Sequence, residues 1–358
     1  KHFGVSSQAM AFSARFALGG LGLAVAYGAF HRWIWVCQFR AMPANRGPFP
    51  RPWRMLSAHA LTLRRLWRFL TSPFRRLPDF YIAGSMKCGT TALYSYLALH
   101  PHIVTPMFKE SRFFLGMCGL RLSTWRYRSL FPSYWACPKG CLTFDADATA
   151  SLTPNLAAAM YKRMTPGAKI ILVYREPEKA AWSMCAFRSR IKCTPVCGFT
   201  FKQMYDLEMR TVESPHWEEV EQLTRALDTG ACSVTLSAGV APCVLSSMLM
   251  RTQRYADILH EFQSRFGKDQ VLLVKFSDIA TNTEATVRRV FAFLGLDSSI
   301  ELPALKSVQP EDVVDLVVTS EKKASIPSAE EEALLKSYYG EQRRRLAQML
   351  NCAEEDLW

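Results

Sequence analysis

The chain has 358 residues, 49% hydrophobic and 21% charged, a balance that excludes a disordered chain and suffices for one large core or two modest ones. The formal net charge of +13 is concentrated at the start: residues 1–78 hold twelve Lys/Arg and no Asp or Glu, and the other 280 carry 32 basic and 31 acidic groups. A nucleic-acid-binding domain needs its basic stripe on the fold itself, so nucleic acid is excluded as a partner.

The first feature along the chain is "RFALGGLGLAVAYGAFHRWIWVCQF" (15–39), which from Phe16 to Cys37 is apolar except at His31 and Arg32. Phe16–Phe30 alone is short of the roughly 20 residues a bilayer span needs, and extension through Cys37 reaches that length. Trp33 and Trp35 suit an interfacial belt. A signal anchor is expected over 1–39. The alternatives are an acid-free transit peptide for a plastid or other organelle, and a buried helix. More positive charge follows the segment than precedes it, so charge alone does not select an orientation. Residues 40–78 are rich in Pro and Arg and read as a basic stem, with "LTLRRLWRFL" as a short amphipathic helix.

The domain proper is expected from 79 to 358. "FYIAG" (80–84) reads as a buried strand, followed by a glycine-framed loop and the helix "TALYSYLALH" (91–100). "KIILVYR" (169–175) and "VLLVKFSDI" (271–279) read as two further strands. The stretches after them, 178–190 and 282–296, and the one before the last strand, 254–267, read as helices. Residues 191–250 are expected to be an irregular, cysteine-bearing insertion, and 328–350 a terminal helix. Strands alternating with helices imply an α/β, P-loop-like three-layer fold with a central parallel sheet flanked by helices.

Eleven cysteines include the close pairs Cys137/Cys141, Cys193/Cys197 and Cys232/Cys243. No histidines stand beside them at zinc-ligand spacing, so no metal site is expected. Local disulfides in an oxidising lumen are the favoured reading, with buried free thiols the alternative. The odd total leaves one thiol unpaired, for which Cys88 is the candidate.

A strand, a glycine loop and a helix together present backbone N–H groups and a helix N-terminus to an anion. The run Gly84-Ser-Met-Lys-Cys-Gly89-Thr90-Thr91 has the glycine spacing of a triphosphate loop. Its lysine, however, stands at position 87, before the second glycine instead of after it. Kinase or NTPase chemistry is therefore disfavoured and stays as a remote alternative.

With this loop, His100-Pro101 and "KESRFF" (109–114), the chain resembles the sulfotransferases that use 3′-phosphoadenosine 5′-phosphosulfate (PAPS), and more narrowly their membrane-anchored, carbohydrate-modifying branch. A second motif carries the same resemblance: Arg175 at a strand end and Ser183 eight residues later stand where the family grips the 3′-phosphate. The resemblance spans roughly 79–350. It implies PAPS as donor, held by Ser85, Lys87, Cys88, Gly89, Thr90, Thr91, Arg175 and Ser183, and a glycan acceptor, with a small metabolite or lipid as the alternative. It further implies Golgi residence with a lumenal catalytic body and no metal. Lys87 would offset charge on the bridging oxygen. The family's base is a carboxylate after a short strand. In "LTFDADATASLTP" (142–154) Asp147 is favoured for it over Asp145, with capping of the next helix as the plain alternative. Lys109 with Glu110 is a lesser candidate for the acceptor cleft. Lys322 and Lys323 fall where the family often closes a basic loop over PAPS, and Tyr255 where it approaches the adenosine.

Overall fold

The computed structural model describes residues 63–113, 124–137, 139–190, 196–211, 214–230, 248–300 and 327–358. The segment 15–39, Cys193, Cys232, Cys243, Lys322 and Lys323 lie outside them. Among the described residues no helix is long and apolar enough to cross a membrane. The compact unit that contains the sheet runs Arg68–Trp358.

Five strands carry this unit: β1 (Phe80–Gly84), β2 (Ile103–Val104), β3 (Leu142–Ala146), β4 (Lys169–Tyr174) and β5 (Val271–Lys275). They lie in the order β2-β3-β1-β4-β5, and every pairing is parallel. A parallel sheet must be covered on both faces, which is why β1 and β4 read as unbroken apolar runs. All five β1 residues are buried. Phe80 stacks on Phe144 of β3 at 4.7 Å, and Tyr81 on Tyr161 of the helix Pro154–Met164 at 3.7 Å. Burying one such side chain contributes on the order of 1.5–3 kcal/mol. The α/β architecture expected from the alternating pattern is the one found.

Residues 68–78, within the expected stem, are tied to this unit. Arg68 donates to the carbonyls of Ser129 and Phe131, both at 2.7 Å, and Arg75 to Phe131 O at 3.1 Å.

Two expectations on elements are corrected. Residues 191–250 are not irregular throughout, because helices occupy Phe201–Thr211 and His216–Asp228. The second buries Trp217, Val220, Thr224 and Leu227, an i, i+3, i+4 stripe that was legible in the sequence. The last strand ends at Lys275, and Phe276 opens the helix Phe276–Thr281. Disulfide pairing between Cys137 and Cys141 is not formed: both are free thiols, as are Cys88 and Cys197.

His100 shows how the helix after β1 is tied down. Its Nδ1 accepts the His102 N–H at 3.0 Å, so the proton sits on Nε2, which reaches Asp297 O at 3.2 Å. Burial then pushes the imidazole below its usual range. The neutral ring is the form the fold favours. Its contribution is therefore present above the ordinary histidine value of about 6.5 and is lost as pH falls through the lowered folded value. The difference in Tm between the wild type and His100→Ala is expected to be about 2–8 °C at pH 8 and to narrow below about pH 6. A pH-independent difference between pH 8 and 5 contradicts this tautomer.

Candidate functional site

The loop after β1, the residues after β3, Arg175 after β4 and Phe276 after β5 all stand at the carboxyl edge of the sheet, where open parallel sheets bind ligands. Two glycines shape the loop. Gly84 adopts φ +146°, and a methyl group there would come within 2.9 Å of Ser151 Cβ. Gly89 adopts φ +86° as the N-cap of the helix Thr90–Leu97, the left-handed conformation glycine takes most cheaply. The first intrahelical bond to the cap runs from Leu93 N to Gly89 O. The amides of Thr90, Thr91 and Ala92 therefore point out of the helix end, the arrangement with which helix N-termini bind anions.

Each sequence-predicted loop residue has a distinct setting. Ser85 is buried and its N–H donates to Val173 O at 2.8 Å, so that amide serves the β4 junction instead of a ligand. Lys87 is half-buried at φ +62°, with Nζ 4.6 Å from the centre of the Phe187 ring. Cys88 is buried with its Sγ 3.3 Å from the Tyr255 hydroxyl. Burial pushes that thiol up to about 12, so it stays neutral and packs. Tyr255 itself is buried, bracing the loop from behind. Arg175 is half-buried; its Nη1 reaches Lys87 O at 3.5 Å and its guanidinium carbon lies 4.7 Å from the Phe276 ring centre. Ser183, half-buried, is on the helix Pro177–Arg190 that also carries Phe187.

The carboxylates after β3 are buried. Asp145 and Asp147 are 1% and 0% exposed. One hydroxyl joins them: Ser111 Oγ lies 2.7 Å from Asp145 Oδ2 and 3.3 Å from Asp147 Oδ2. Tyr127 donates to the same Asp145 oxygen at 2.7 Å. Asp147 Oδ1 accepts from both the N–H and the hydroxyl of Thr149, capping the turn Ala148–Leu152. The plain alternative, a capping role, is thus realised at Asp147. Burial first, and then the Asp147 charge, push Asp145 to about 7, while burial raises Asp147 as well.

Glu110 presents the opposite case. It adopts φ +61°, Arg112 adopts +48°, and Ser111 stands between them. Its N–H donates to Ala146 O at 2.9 Å, placing it at the end of β3. Its side chain is 30% exposed, and Lys109 Nζ and Arg112 Nη2 lie 2.7 and 3.5 Å from its oxygens. Burial pushes the carboxyl up, but the two cations outweigh it and hold the group below the usual glutamate range. Sequence reasoning weighed the Lys109–Glu110 pair only as a minor cleft feature. Its signal, "KESRFF", was present.

Glu208 was missed altogether. It is fully buried, accepts the backbone N–H groups of Leu249, Met250 and Arg251 at 2.7–3.2 Å, and fastens the turn that leads to Tyr255. A carboxylate at the i+7 position of an apolar stripe begun by Phe201 and Met204 was the available clue. Among the described residues no group of three or more His, Cys, Asp or Glu could hold a metal ion.

Comparison with known proteins identifies the family. Residues 77–336 match the family described as "Sulfotransferase domain". A bifunctional heparan sulfate N-deacetylase/N-sulfotransferase 1 from Caenorhabditis briggsae is 36% identical over 114 residues, covering 30% of this chain and 12% of that protein. Carbohydrate sulfotransferase 15 from Mus musculus is 24% identical over 318 residues, covering 77% and 54%. The chain thus spans no more than about half the length of either relative. Among solved structures, a sulfotransferase from Alicyclobacillus acidocaldarius shares the fold with TM-score 0.54 at 20% identity, covering 78% of this chain and 97% of that one.

Proposed function

The chain belongs to the sulfotransferase domain family, and on that premise we propose that it moves a sulfuryl group from PAPS to a hydroxyl, or an amine, of a carbohydrate. One observation carries this reading. The lysine-bearing loop and Arg175 are two separate anion grips, and they meet at 3.5 Å on the carboxyl edge of the sheet. A nucleotide with phosphate at both 5′ and 3′ positions needs two such grips, whereas ATP needs only the first. The amides of Thr90 and Thr91 hold the 5′-phosphosulfate, and Arg175 with Ser183 holds the 3′-phosphate. Lys87 places its ammonium by the bridging oxygen, where charge grows as the sulfuryl group leaves.

The acceptor proton goes to Glu110. Of the three carboxylates at the end of β3, Glu110, Asp145 and Asp147, Glu110 has solvent access, and it is ionised at neutral pH. Asp147, the favoured candidate from sequence, has both oxygens engaged inside the protein. In this reading Asp145 and Asp147 hold Ser111, and through it the left-handed turn that aims Glu110. The names of the relatives support a glycan acceptor. Residues 1–39 act as a Golgi membrane anchor and the following segment as a stem, supported by the apolar run 16–30 and Trp33/Trp35.

A transfer assay with ³⁵S-labelled PAPS across glycans and small alcohols tests the function. Label is expected in the glycans. Label confined to small alcohols moves the acceptor class. No transfer together with Mg²⁺-dependent ATP turnover overturns the reading.

A further inference from the structure

Phe276 begins a helix directly after β5, in a segment whose sequence pattern marks only a strand. Its ring is wedged between the two anion grips. On one side the Arg175 guanidinium carbon stands 4.7 Å from the ring centre. On the other, a methyl group built on Gly89 would come within 2.6 Å of Cδ2 and 2.8 Å of Cε2, so the ring fills the space a side chain there would take. Gly89 is the residue from which the phosphate-facing helix starts. One half-buried ring therefore lies against both the start of the loop-helix grip and the guanidinium of the arginine grip.

An arginine on a flexible stem has rotamer freedom to lose before it can bind phosphate with both nitrogens. An aromatic ring beside the guanidinium removes part of that freedom in advance. The geometry points to Phe276 as a positioning residue that sets the span between the loop and Arg175. It thereby selects a nucleotide phosphorylated at both 5′ and 3′ positions over one carrying only the 5′ group. The inference rests on the donor assignment above.

Binding of adenosine 3′,5′-bisphosphate and of 5′-AMP to the full chain tests it, with Phe276→Leu, Phe276→Met and Phe276→Tyr as variants. The wild type is expected to prefer the bisphosphate. In Phe276→Leu that preference falls about 3- to 30-fold, the size of a cation–π contact, while 5′-AMP affinity moves less. Phe276→Tyr keeps the preference. Phe276→Met retains the volume without the aromatic face, and it gives the same answer if the leucine variant does not fold. If both nucleotides weaken in parallel and the ratio is unchanged, Phe276 only supports the fold and the inference is overturned, with the donor assignment intact. A wild type that binds the two equally removes the donor assignment itself, and this inference with it.

Discussion

Lys87→Ala is expected to lower kcat for sulfuryl transfer about 10²- to 10³-fold, with a much smaller change in the KM for PAPS. The asymmetry follows from how the donor is held. In the proposed complex the amides of Thr90 and Thr91 and the Arg175 guanidinium remain in the variant and bind the ground state. The lysine matters most when charge gathers on the bridging oxygen, and that charge exists only on the way to the transition state. Its backbone already adopts φ +62° and its ammonium lies 4.6 Å over Phe187, so the side chain is set before the donor arrives. Lys87→Arg restores the charge on a broader, planar group and is expected to recover only part of the rate. Single-turnover rates at saturating PAPS check this. A variant within threefold of wild-type kcat removes Lys87 from the chemistry.

Glu110→Gln is the second large effect, a loss of about 10²- to 10⁴-fold in kcat, the range for removing a general base. The rival reading, in which a buried aspartate is the base, makes a different prediction about pH. Lys109 and Arg112 hold Glu110 below the ordinary glutamate range, so it is ionised throughout the mildly acidic region. With Glu110 as base, kcat/KM stays level as pH falls from 8 to about 5. Asp145, pushed up to about 7, would impose a fall that begins near neutrality. Its raised carboxyl also has the opposite linkage: the stability it contributes is present at low pH and is lost as pH rises through about 7. Asp147→Asn, which weakens the cap on Thr149, is expected to cost about 0.5–2 kcal/mol of stability and to reduce activity less than Glu110→Gln. A pH profile that falls below 7, joined to an active Glu110→Gln enzyme, returns the role to the aspartates.

The parts of the site legible in the sequence are those made from backbone. Gly84, Gly89 and the threonines announce a tight turn into a helix start, because few residues other than glycine turn the chain that sharply. Arg175 was legible through its place at the end of an apolar run. The carboxylates were not separable by the same means. Asp145 and Asp147 stand two residues apart on an extended segment, where spacing does not choose between them, and Asp147 was favoured, yet burial and the Thr149 bonds engage that residue fully. Glu110 read only as a lesser feature of the acceptor cleft, because nothing local reveals that Ser111 beside it is tied to two buried aspartates 34 and 36 residues later.

What sequence alone determined is thus local: the apolar runs that become strands, the glycine-framed turn before a helix, the basic and acid-free first 78 residues, and the family to which they point. What only the tertiary structure decided is which groups face solvent and which face each other. Desolvation and hydrogen bonding act between residues distant along the chain, as Phe276 does with Gly89 and Arg175, or Glu208 with the turn before Tyr255. No periodicity of 2 or 3.6 residues encodes a contact across dozens of positions or more, so these pairings became readable only in the folded chain.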